Sequence, residues 1–265
     1  AAATLQQRRG QFAAASCQAG GAMNILLVDI GNSRIKWVLN YDGHPVVRGT
    51  HLLAEAATFS TAIGNLTKPE RVLACNVAGE QGEEVLLSAI RPWELAPQWV
   101  TAATQAYGVS NCYANPEKLG PDRWAALIAA HSMGQGETLV ISLGTAMTVD
   151  WLRANGEFAG GMIIPGLRLM REALAQGTKG VGYQHGKTSD FACNTADAVD
   201  TGLAFALSGA LRQARQTVIL ATGQAPVCLI TGGDGAWLAS LLDFPAALVP
   251  DLVLHGLALI AGGDE

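Results

Sequence analysis

The chain has 265 residues, of which 49% are hydrophobic and 15% charged, so it can bury a sizeable core in one or two domains. Its formal net charge of -5 gives no general attraction to nucleic acid or to an anionic membrane, and we expect neither as a partner. The five cysteines are scattered without a Cys-x-x-Cys pair, which predicts reduced thiols in a cytoplasmic protein and excludes a disulfide framework.

The first residues do not carry a folding pattern. Residues 1–22 are dominated by Ala, Gln and Gly and contain no acid, and the first strand pattern begins only at Met23. We therefore predict that residues 1–22 are a disordered or vector-derived extension outside the fold.

An acidic, glycine-containing turn follows the first predicted strand. Apolar runs at 25–28 and 35–39 flank it, which is typical of a β-hairpin. Its residues are Asp29, Ile30, Gly31, Asn32, Ser33, Arg34, Ile35 and Lys36. Gly31 lets the backbone approach a ligand, neighbouring N–H groups can face phosphate oxygens, and Lys36 adds positive charge. Asp29 can hold Mg²⁺ directly or through water. The turn is a candidate nucleotide phosphate site, although Asp-x-Gly-Asn is also an ordinary hairpin turn.

A second copy of this pattern lies in the other half of the chain. Residues 139–150 repeat the order of strand, small-residue turn and strand, with Gly144 and Thr145 in the places of Gly31 and Asn32.

Each copy also has a hairpin dipeptide at a matching distance. Asp-Gly at 42–43 lies 11 and 12 residues after Gly31, and Asn-Gly at 155–156 lies at the same offsets from Gly144. Both dipeptides are preferred two-residue hairpin turns. We therefore predict an internal duplication with one phosphate turn from each half.

Four motifs in a fixed order resemble those of a known family. They are Asp-Ile-Gly-Asn at 29–32, Leu-Gly-Pro-Asp-Arg-Trp at 119–124, Gly-Gly-Met-Ile-Ile-Pro-Gly at 160–166 and Thr-Gly-Gly-Asp-Gly at 231–235. Together they resemble type III pantothenate kinase, a family of the acetate and sugar kinase, heat-shock ATPase and actin superfamily. The resemblance spans nearly all of residues 23–265.

The resemblance implies an α/β fold of two duplicated ribonuclease H-like domains with mixed sheets and a nucleotide cleft between the halves. Three meandering strands followed by alternating helices and strands fit this plan. We place the N-terminal domain at 23–125 and the C-terminal domain at 126–265. Helices are predicted over 52–66, 80–90, 123–131, 167–176, 194–220, 236–242 and 252–261, and further strands over 71–76 and 227–230.

The implied activity is ATP-dependent phosphorylation of pantothenate to 4'-phosphopantothenate, the first step of coenzyme A biosynthesis. ATP and Mg²⁺ would be the cofactors, and the protein would be a cytoplasmic homodimer. No Gly-x-x-x-x-Gly-Lys-Ser/Thr pattern occurs, which disfavours the other common phosphate-binding loop.

The resemblance also implies roles for single residues. Asp122 would be the catalytic base, and Arg123 would bind the carboxylate of pantothenate. The full set of implied substrate-binding residues is Tyr113, Gly120, Pro121, Asp122, Arg123 and Thr195. Thr145 would contact ATP together with residues 29–36. Helix capping is the alternative role, for Asp122 at one helix and for Thr195 or its neighbour Asn194 at another.

Ser142 is the main departure from the family pattern. The family usually has an aspartate at this position, associated with a monovalent cation near the nucleotide. A neutral serine does not supply that charge, so the sequence leaves a K⁺ or NH₄⁺ requirement open.

Two rival functions remain at this stage. One is another small-molecule kinase or phosphatase of the same superfamily, because a fold does not set its substrate. The other is a non-catalytic transcription accessory protein, which the acidic net charge and the presence of Asp29, Lys36 and Asp122 disfavour.

Overall fold

The computed structural model describes residues 23–134 and 136–263, and its contacts divide the chain into two units. The first unit runs to Met133 and resumes at Leu252, and the second is Gly134–Asp251. The division differs from the predicted boundary between residues 125 and 126, which falls inside a continuous helix whose residues 123–130 are buried. The predicted extension at 1–22 lies outside the described residues.

The elements follow one another with short connections. In chain order the strands are β1 (Asn24–Ile30), β2 (Arg34–Tyr41), β3 (His44–Leu52), β4 (Arg71–Asn76), β5 (Gln98–Trp99), β6 (Gln105–Ala106), β7 (Val109–Asn111), β8 (Thr138–Leu143), β9 (Ala146–Leu152), β10 (Glu157–Pro165), β11 (Val227–Thr231) and β12 (Ala247–Leu248). The α-helices are α1 (Ala56–Gly64), α2 (Glu80–Ile90), α3 (Pro121–Met133), α4 (Leu167–Gly177), α5 (Thr195–Thr222), α6 (Gly235–Ser240) and α7 (Leu252–Gly262). The predicted helix at 52–66 begins instead with a 3₁₀ turn, Leu53–Glu55, and only then becomes α1.

The first unit is built on a mixed sheet of strand order β3-β2-β1-β4-β5. β1, β2 and β3 are antiparallel neighbours, as predicted for a meander, and β4 and β5 continue the sheet in parallel to β1. Parallel strands need a crossover connection, and α1 supplies it between β3 and β4.

Helices cover both faces of this sheet. On one face, Leu26, Val28 and Ile30 of β1 share a buried core with Phe59 of α1 and Leu86 of α2. Side chains alternate along a strand, so the intervening residues of β1 point the other way. On that side α7 contacts β1, β2 and β4 and also lies along α3. The second face therefore carries both a strand end, at residue 29, and the helix that contains residue 122.

The second unit repeats the strand plan of the first. β8, β9 and β10 are antiparallel, β11 is parallel to β8, and β12 is parallel to β11. The order β10-β9-β8-β11-β12 thus matches β3-β2-β1-β4-β5 strand for strand. Apolar residues of β8, β9 and β11 form the core of this unit with the long helix α5. The predicted internal duplication is confirmed at the level of topology.

The two hairpin dipeptides do not form the same turn. Asp42 and Gly43 have φ of 50° and 76° and join paired residues Tyr41 and His44, so they form the predicted two-residue turn. In the second copy the N–H of Arg153 donates to the carbonyl of Glu157 at 2.8 Å, which leaves a three-residue loop ending in left-handed Gly156. The prediction was wrong here because the loop holds one more residue.

No helix within the described residues combines the length and the hydropathy needed to cross a membrane.

One close helix crossing holds the first unit together. α7 approaches α3 at Gly256, where an added Cβ would run into the backbone carbonyl of Ala125. A backbone atom cannot move aside as a flexible side chain does, so only glycine fits at this position.

We expect Gly256→Ala to lower the free energy of unfolding by about 1–3 kcal/mol through overpacking. Gly209→Ala is the matched control, because Gly209 lies within α5 and its added Cβ would meet nothing within 4 Å. That control should gain roughly 0.5–1 kcal/mol from helix propensity. Urea unfolding measures the free energy of unfolding of both variants. Equal values would contradict a close approach of α7 to α3 at Gly256.

Candidate active site

The first phosphate turn joins β1 to β2 in the first unit. The N–H of Gly31 donates to the carbonyl of Arg34 at 2.9 Å and closes the turn. Asp29 lies beside Lys36 in the antiparallel register, so a carboxylate and an ammonium group flank the turn on neighbouring strands. Asn32 is exposed, and Gly31 is half-buried. Residues 29–36 therefore form the hairpin turn that the sequence predicted, with its tip open to solvent.

Asp29 has a partner that the sequence analysis missed. Cys75, on β4, is aligned with Asp29 in the parallel register, and its thiol donates to Asp29 Oδ1 at 3.3 Å. Burial raises the pKa of the Cys75 thiol well above its ordinary value, and the carboxylates of Asp29 and Asp122 add to the rise. The thiol therefore stays protonated and can act only as a donor to the carboxylate. A usable signal was present, because parallel strands that end at the same edge bring their last residues together.

The candidate base lies in the first turn of α3. The carbonyl of Gly120 accepts the first helical hydrogen bond, from the N–H of Trp124 at 2.9 Å, so Gly120 is the N-cap and Pro121 opens the helix. The N-cap alternative for Asp122 is thus wrong, since Asp122 is already inside the helix. Its Oδ1 accepts the N–H of Arg123 at 2.8 Å. An added Cβ on Gly120 would lie 2.7 Å from Asp122 Oδ1, so the missing side chain makes room for the carboxylate.

The environment of Asp122 favours its protonated form. Burial raises the pKa of the carboxyl above its ordinary value, while the Arg123 N–H and the Arg123 guanidinium charge oppose that shift. A carboxylate with a raised pKa accepts a proton more readily than an exposed aspartate does. Asp122 therefore has the electrostatic character of a general base.

Arg123 is positioned by a tyrosine. The Arg123 side chain is buried, with 7% of the residue exposed, and its Nη1 donates to Tyr113 Oη at 3.0 Å. The guanidinium carbon also lies 5.8 Å from the centre of the Tyr113 ring, within cation–π range. The structure thus brings together Tyr113, Gly120, Pro121, Asp122 and Arg123, all predicted substrate residues.

A pocket lies next to this group within the first unit. Its volume is about 290 Å³, and Leu119, Pro121, Asn76 and Trp99 are among its walls. Small-molecule sites begin at roughly this size, so a small ligand has room beside the start of α3.

The second phosphate turn, in the second unit, joins β8 to β9. The N–H of Gly144 donates to the carbonyl of Ala146 at 3.0 Å, and the carbonyl of Thr145 accepts the N–H of Gly166 at 3.0 Å. An added Cβ on Gly166 would run into the backbone of Gly144 and Thr145. The last glycine of the 160–166 motif therefore lets the chain pass closely behind the second turn.

Ser142 occupies the place in β8 that Asp29 occupies in β1, two residues before the turn glycine. It pairs with Thr148 on β9 and with Thr231 on β11. Residues aligned across a sheet share a face, so the neighbours of Ser142 are hydroxyl side chains. The predicted monovalent cation position thus has neutral oxygens beside it and no aligned carboxylate.

Thr195 is the first residue of α5 and is exposed. The N-cap of that helix is Asn194, whose Oδ1 accepts the N–H of Asp197 at 3.0 Å, so the capping alternative is confirmed for Asn194 and wrong for Thr195.

Two acids of α5 fix the loop that precedes it. Asp200 binds Arg171 of α4 at 2.6 Å and accepts the N–H of Gly186 at 2.8 Å. Asp197 accepts the N–H of Lys187, and this bond lowers the pKa of the Asp197 carboxyl. The loop is therefore held to the helix that begins with Thr195.

Asp29 is the candidate Mg²⁺ ligand of the first turn. Among residues 23–134 and 136–263, no group of three or more His, Cys, Asp or Glu side chains could hold a metal ion. Mg²⁺ is usually bound in proteins by one or two carboxylates together with substrate phosphates and water. A single carboxylate at this turn fits that mode.

A type III pantothenate kinase family profile matches residues 25–216. The type III pantothenate kinase of Azoarcus sp. (strain BH72) is 41% identical over 242 residues, which cover 91% of this chain and 91% of that protein.

Solved structures show the same fold. A protein from Campylobacter jejuni, named as a conserved Baf family transcriptional activator, has a TM-score of 0.60 at 22% identity, covering 89% of this chain and 96% of that one. An ethanolamine utilization protein from Carboxydothermus hydrogenoformans has a TM-score of 0.53 at 13% identity, covering 99% of both chains. These two likenesses show the fold alone, and they agree with the predicted α/β fold of two duplicated domains with mixed sheets.

The family profile covers most of the chain, and the sequence identity extends over nearly all of it. The chain belongs to the type III pantothenate kinase family.

Proposed function

We propose that this protein transfers the γ-phosphoryl group of ATP to the primary hydroxyl of pantothenate and releases 4'-phosphopantothenate and ADP. The observation that carries the proposal is the half-buried Asp122 carboxylate in the first turn of α3, adjacent in sequence to a buried arginine. Family membership supplies the substrate, since the matched relatives are type III pantothenate kinases.

Asp122 is the proposed catalytic base. As the substrate hydroxyl attacks the γ-phosphorus, its proton passes to the Asp122 carboxylate, a new O–P bond forms, and the bond from the γ-phosphorus to the β,γ-bridging oxygen breaks. The electron pair of that bond leaves with ADP. Phosphoryl transfer requires mainly positioning and charge stabilisation, so one base and well-placed donors suffice.

Arg123 and Tyr113 would orient pantothenate. A planar guanidinium can bind a carboxylate through two parallel N–H donors, and Arg123 is pre-oriented by its hydrogen bond to Tyr113 Oη. Gly120, Pro121 and Thr195 complete the proposed set of substrate contacts.

The nucleotide would bind at the phosphate turns. Residues 29–36 offer backbone N–H groups and the Lys36 ammonium to phosphate oxygens, and Thr145 is the proposed contact from the second turn. Asp29 would hold Mg²⁺ directly or through water. When bound, Mg²⁺ neutralises charge that develops on the phosphate oxygens.

Ser142 lies at the proposed position of the monovalent cation. The hydroxyl groups aligned with it can offer neutral oxygen ligands, but the position has no aligned carboxylate to attract a cation. We propose that turnover is nearly independent of K⁺ or NH₄⁺.

We also propose that the protein is a cytoplasmic homodimer. Cys75, Cys112, Cys193 and Cys228 are free thiols in the described residues, which suits a reducing compartment. Several large apolar side chains of the second unit are exposed, and such surfaces often mark protein contacts. They include Met162, Ile163, Phe205 and Leu220, which are 41%, 65%, 53% and 76% exposed.

The first test is ADP release by purified protein with ATP and Mg²⁺, with and without pantothenate, in potassium and in sodium salts. We expect pantothenate-dependent turnover in both salts. Asp122→Asn should lower kcat by roughly 10²–10⁴-fold, because the variant cannot accept the proton. Asp243→Asn is the matched control, since Asp243 is an exposed acid of the second unit paired with Arg212, and it should behave as wild type.

Other outcomes of this assay would overturn parts of the proposal. ADP release with another hydroxy compound but not with pantothenate would contradict pantothenate as the substrate. It would still agree with ATP-dependent phosphorylation of a small molecule. If no acceptor produced ADP release and the protein bound DNA, the role of a non-catalytic transcription accessory protein would be favoured. Turnover only in potassium would contradict our expectation for Ser142.

The burial of Asp122 also predicts an effect on stability. Its pKa is raised in the folded protein, so the stability it contributes is present below the unfolded pKa of about 3.9 and is lost as pH rises through the folded value. Above the folded pKa the ionised carboxylate therefore destabilises the fold. Asp122→Asn should have a higher Tm than wild type at pH 7, and the difference should shrink as pH falls. A variant that melts below wild type at pH 7 would refute this account.

The proposed dimer can be tested with a charge placed on the apolar surface. Ile163→Glu should shift the protein from dimer to monomer in analytical ultracentrifugation, because an ionised carboxylate is strongly disfavoured in a dry interface. Val46→Glu is the matched control, since Val46 is an exposed apolar residue of the first unit at 61% exposure. A monomeric wild type, or equal shifts in both variants, would argue against an interface at this surface.

A further inference from the structure

Cys75 fills a buried position that an apolar residue could also fill. Unlike an apolar residue, it donates a hydrogen bond. It is fully buried near the end of β4, and its thiol donates to Oδ1 of Asp29, the carboxylate that we propose for Mg²⁺ and ATP. The two residues are directly aligned in the parallel register of β1 and β4. The sheet register therefore keeps the two side chains adjacent.

The corresponding place in the second unit also carries a small donor. Ser142 stands in β8 where Asp29 stands in β1, and the residue aligned with Ser142 on the parallel neighbour strand is Thr231. In both halves, the residue two positions before the turn glycine thus has a thiol or hydroxyl side chain beside it. This correspondence favours a role for the donor itself.

The other buried cysteine of the described chain is different. Cys228 lies on β11, where it is aligned with Leu139 of β8. Its sulfur contacts the backbone carbonyl of Pro226 at 3.9 Å. It is therefore a buried thiol without a carboxylate partner, which makes it a matched comparison for Cys75.

We infer that Cys75 is a positioning residue that holds the Asp29 carboxylate in the orientation needed to bind magnesium-bound nucleotide. This inference rests on the proposed role of Asp29. The Asp29 carboxylate is attached to β1 through two rotatable bonds and has several rotamers, and a hydrogen bond from the neighbouring strand selects one of them. Partners of this kind typically change metal affinity by about 10–100-fold when removed.

The experiment compares Cys75→Ala, Cys75→Ser and Cys228→Ala in the full chain. Binding of a non-hydrolysable ATP analogue is measured by calorimetry at increasing Mg²⁺ concentrations, so the readout does not depend on turnover. Cys75→Ala should need on the order of 10-fold more Mg²⁺ for half-maximal binding. Cys75→Ser keeps a donor and should restore the wild-type dependence. Cys228→Ala should bind as wild type even where its Tm falls.

Steady-state kinetics provide a second readout. Cys75→Ala should raise the KM for magnesium-bound ATP and leave the KM for pantothenate unchanged, because the thiol acts through Asp29. A change confined to the pantothenate KM would overturn the inference.

The outcomes separate this inference from the proposed reaction. Equal Mg²⁺ dependence in Cys75→Ala and wild type, or equal impairment of the Ala and Ser variants, would overturn it. So would a wild-type protein whose analogue binding does not depend on Mg²⁺. A wild type that binds the analogue with Mg²⁺ but never phosphorylates pantothenate would contradict the proposed function, and the comparison of the variants would still decide the role of Cys75.

Discussion

Partial burial of a single carboxylate constrains the start of α3. Asp122 is half-buried at the start of α3, and the desolvation that raises the pKa of its carboxyl is opposed by nearby donors and positive charge. The Arg123 N–H binds the carboxylate directly, the positive end of the helix dipole lies at the same turn, and Gly120 omits the side chain that would displace it. Arg123 is itself buried and depends on Tyr113, whose N–H in turn donates to Asn111 Oδ1. Hydrogen bonds thus tie the Arg123 guanidinium to Tyr113 and Tyr113 to β7, while the backbone N–H of Arg123 binds the candidate base.

The duplication gives the two units one topology and two different chemistries. The strand orders match, and both turns follow the first strand of their unit. In the first unit the residue before the turn is an acid with a thiol beside it, and in the second it is a serine aligned with two threonines. The fold therefore repeats the backbone geometry of the turn, while only the first copy has an acid two residues before the turn glycine.

Local signals allowed much of this architecture to be predicted from the sequence. The hairpin meander, the strand at 71–76 and the helix at 80–90 agree with the structure because apolar periodicity and turn dipeptides are properties of neighbouring residues. The implied substrate residues from Tyr113 to Arg123 also lie together. The unit boundary, the membership of α7 and the contact of Cys75 with Asp29 depend on contacts between distant parts of the chain, which periodicity does not encode. The three-residue loop at Gly156 differed for another reason, since the same dipeptide serves in more than one turn.

The place of α7 in the chain has a consequence for biosynthesis. The first unit begins with β1 but needs α7, residues 252–262, to cover one face of its sheet, and the whole second unit is inserted between α3 and that helix. During synthesis from the N-terminus, the second unit leaves the ribosome before α7 does. The first unit must therefore wait with apolar surface of β1, β2 and β4 uncovered, which makes it a target for chaperones or for aggregation until α7 has been synthesised. The half that contains the candidate base would be the last to become native.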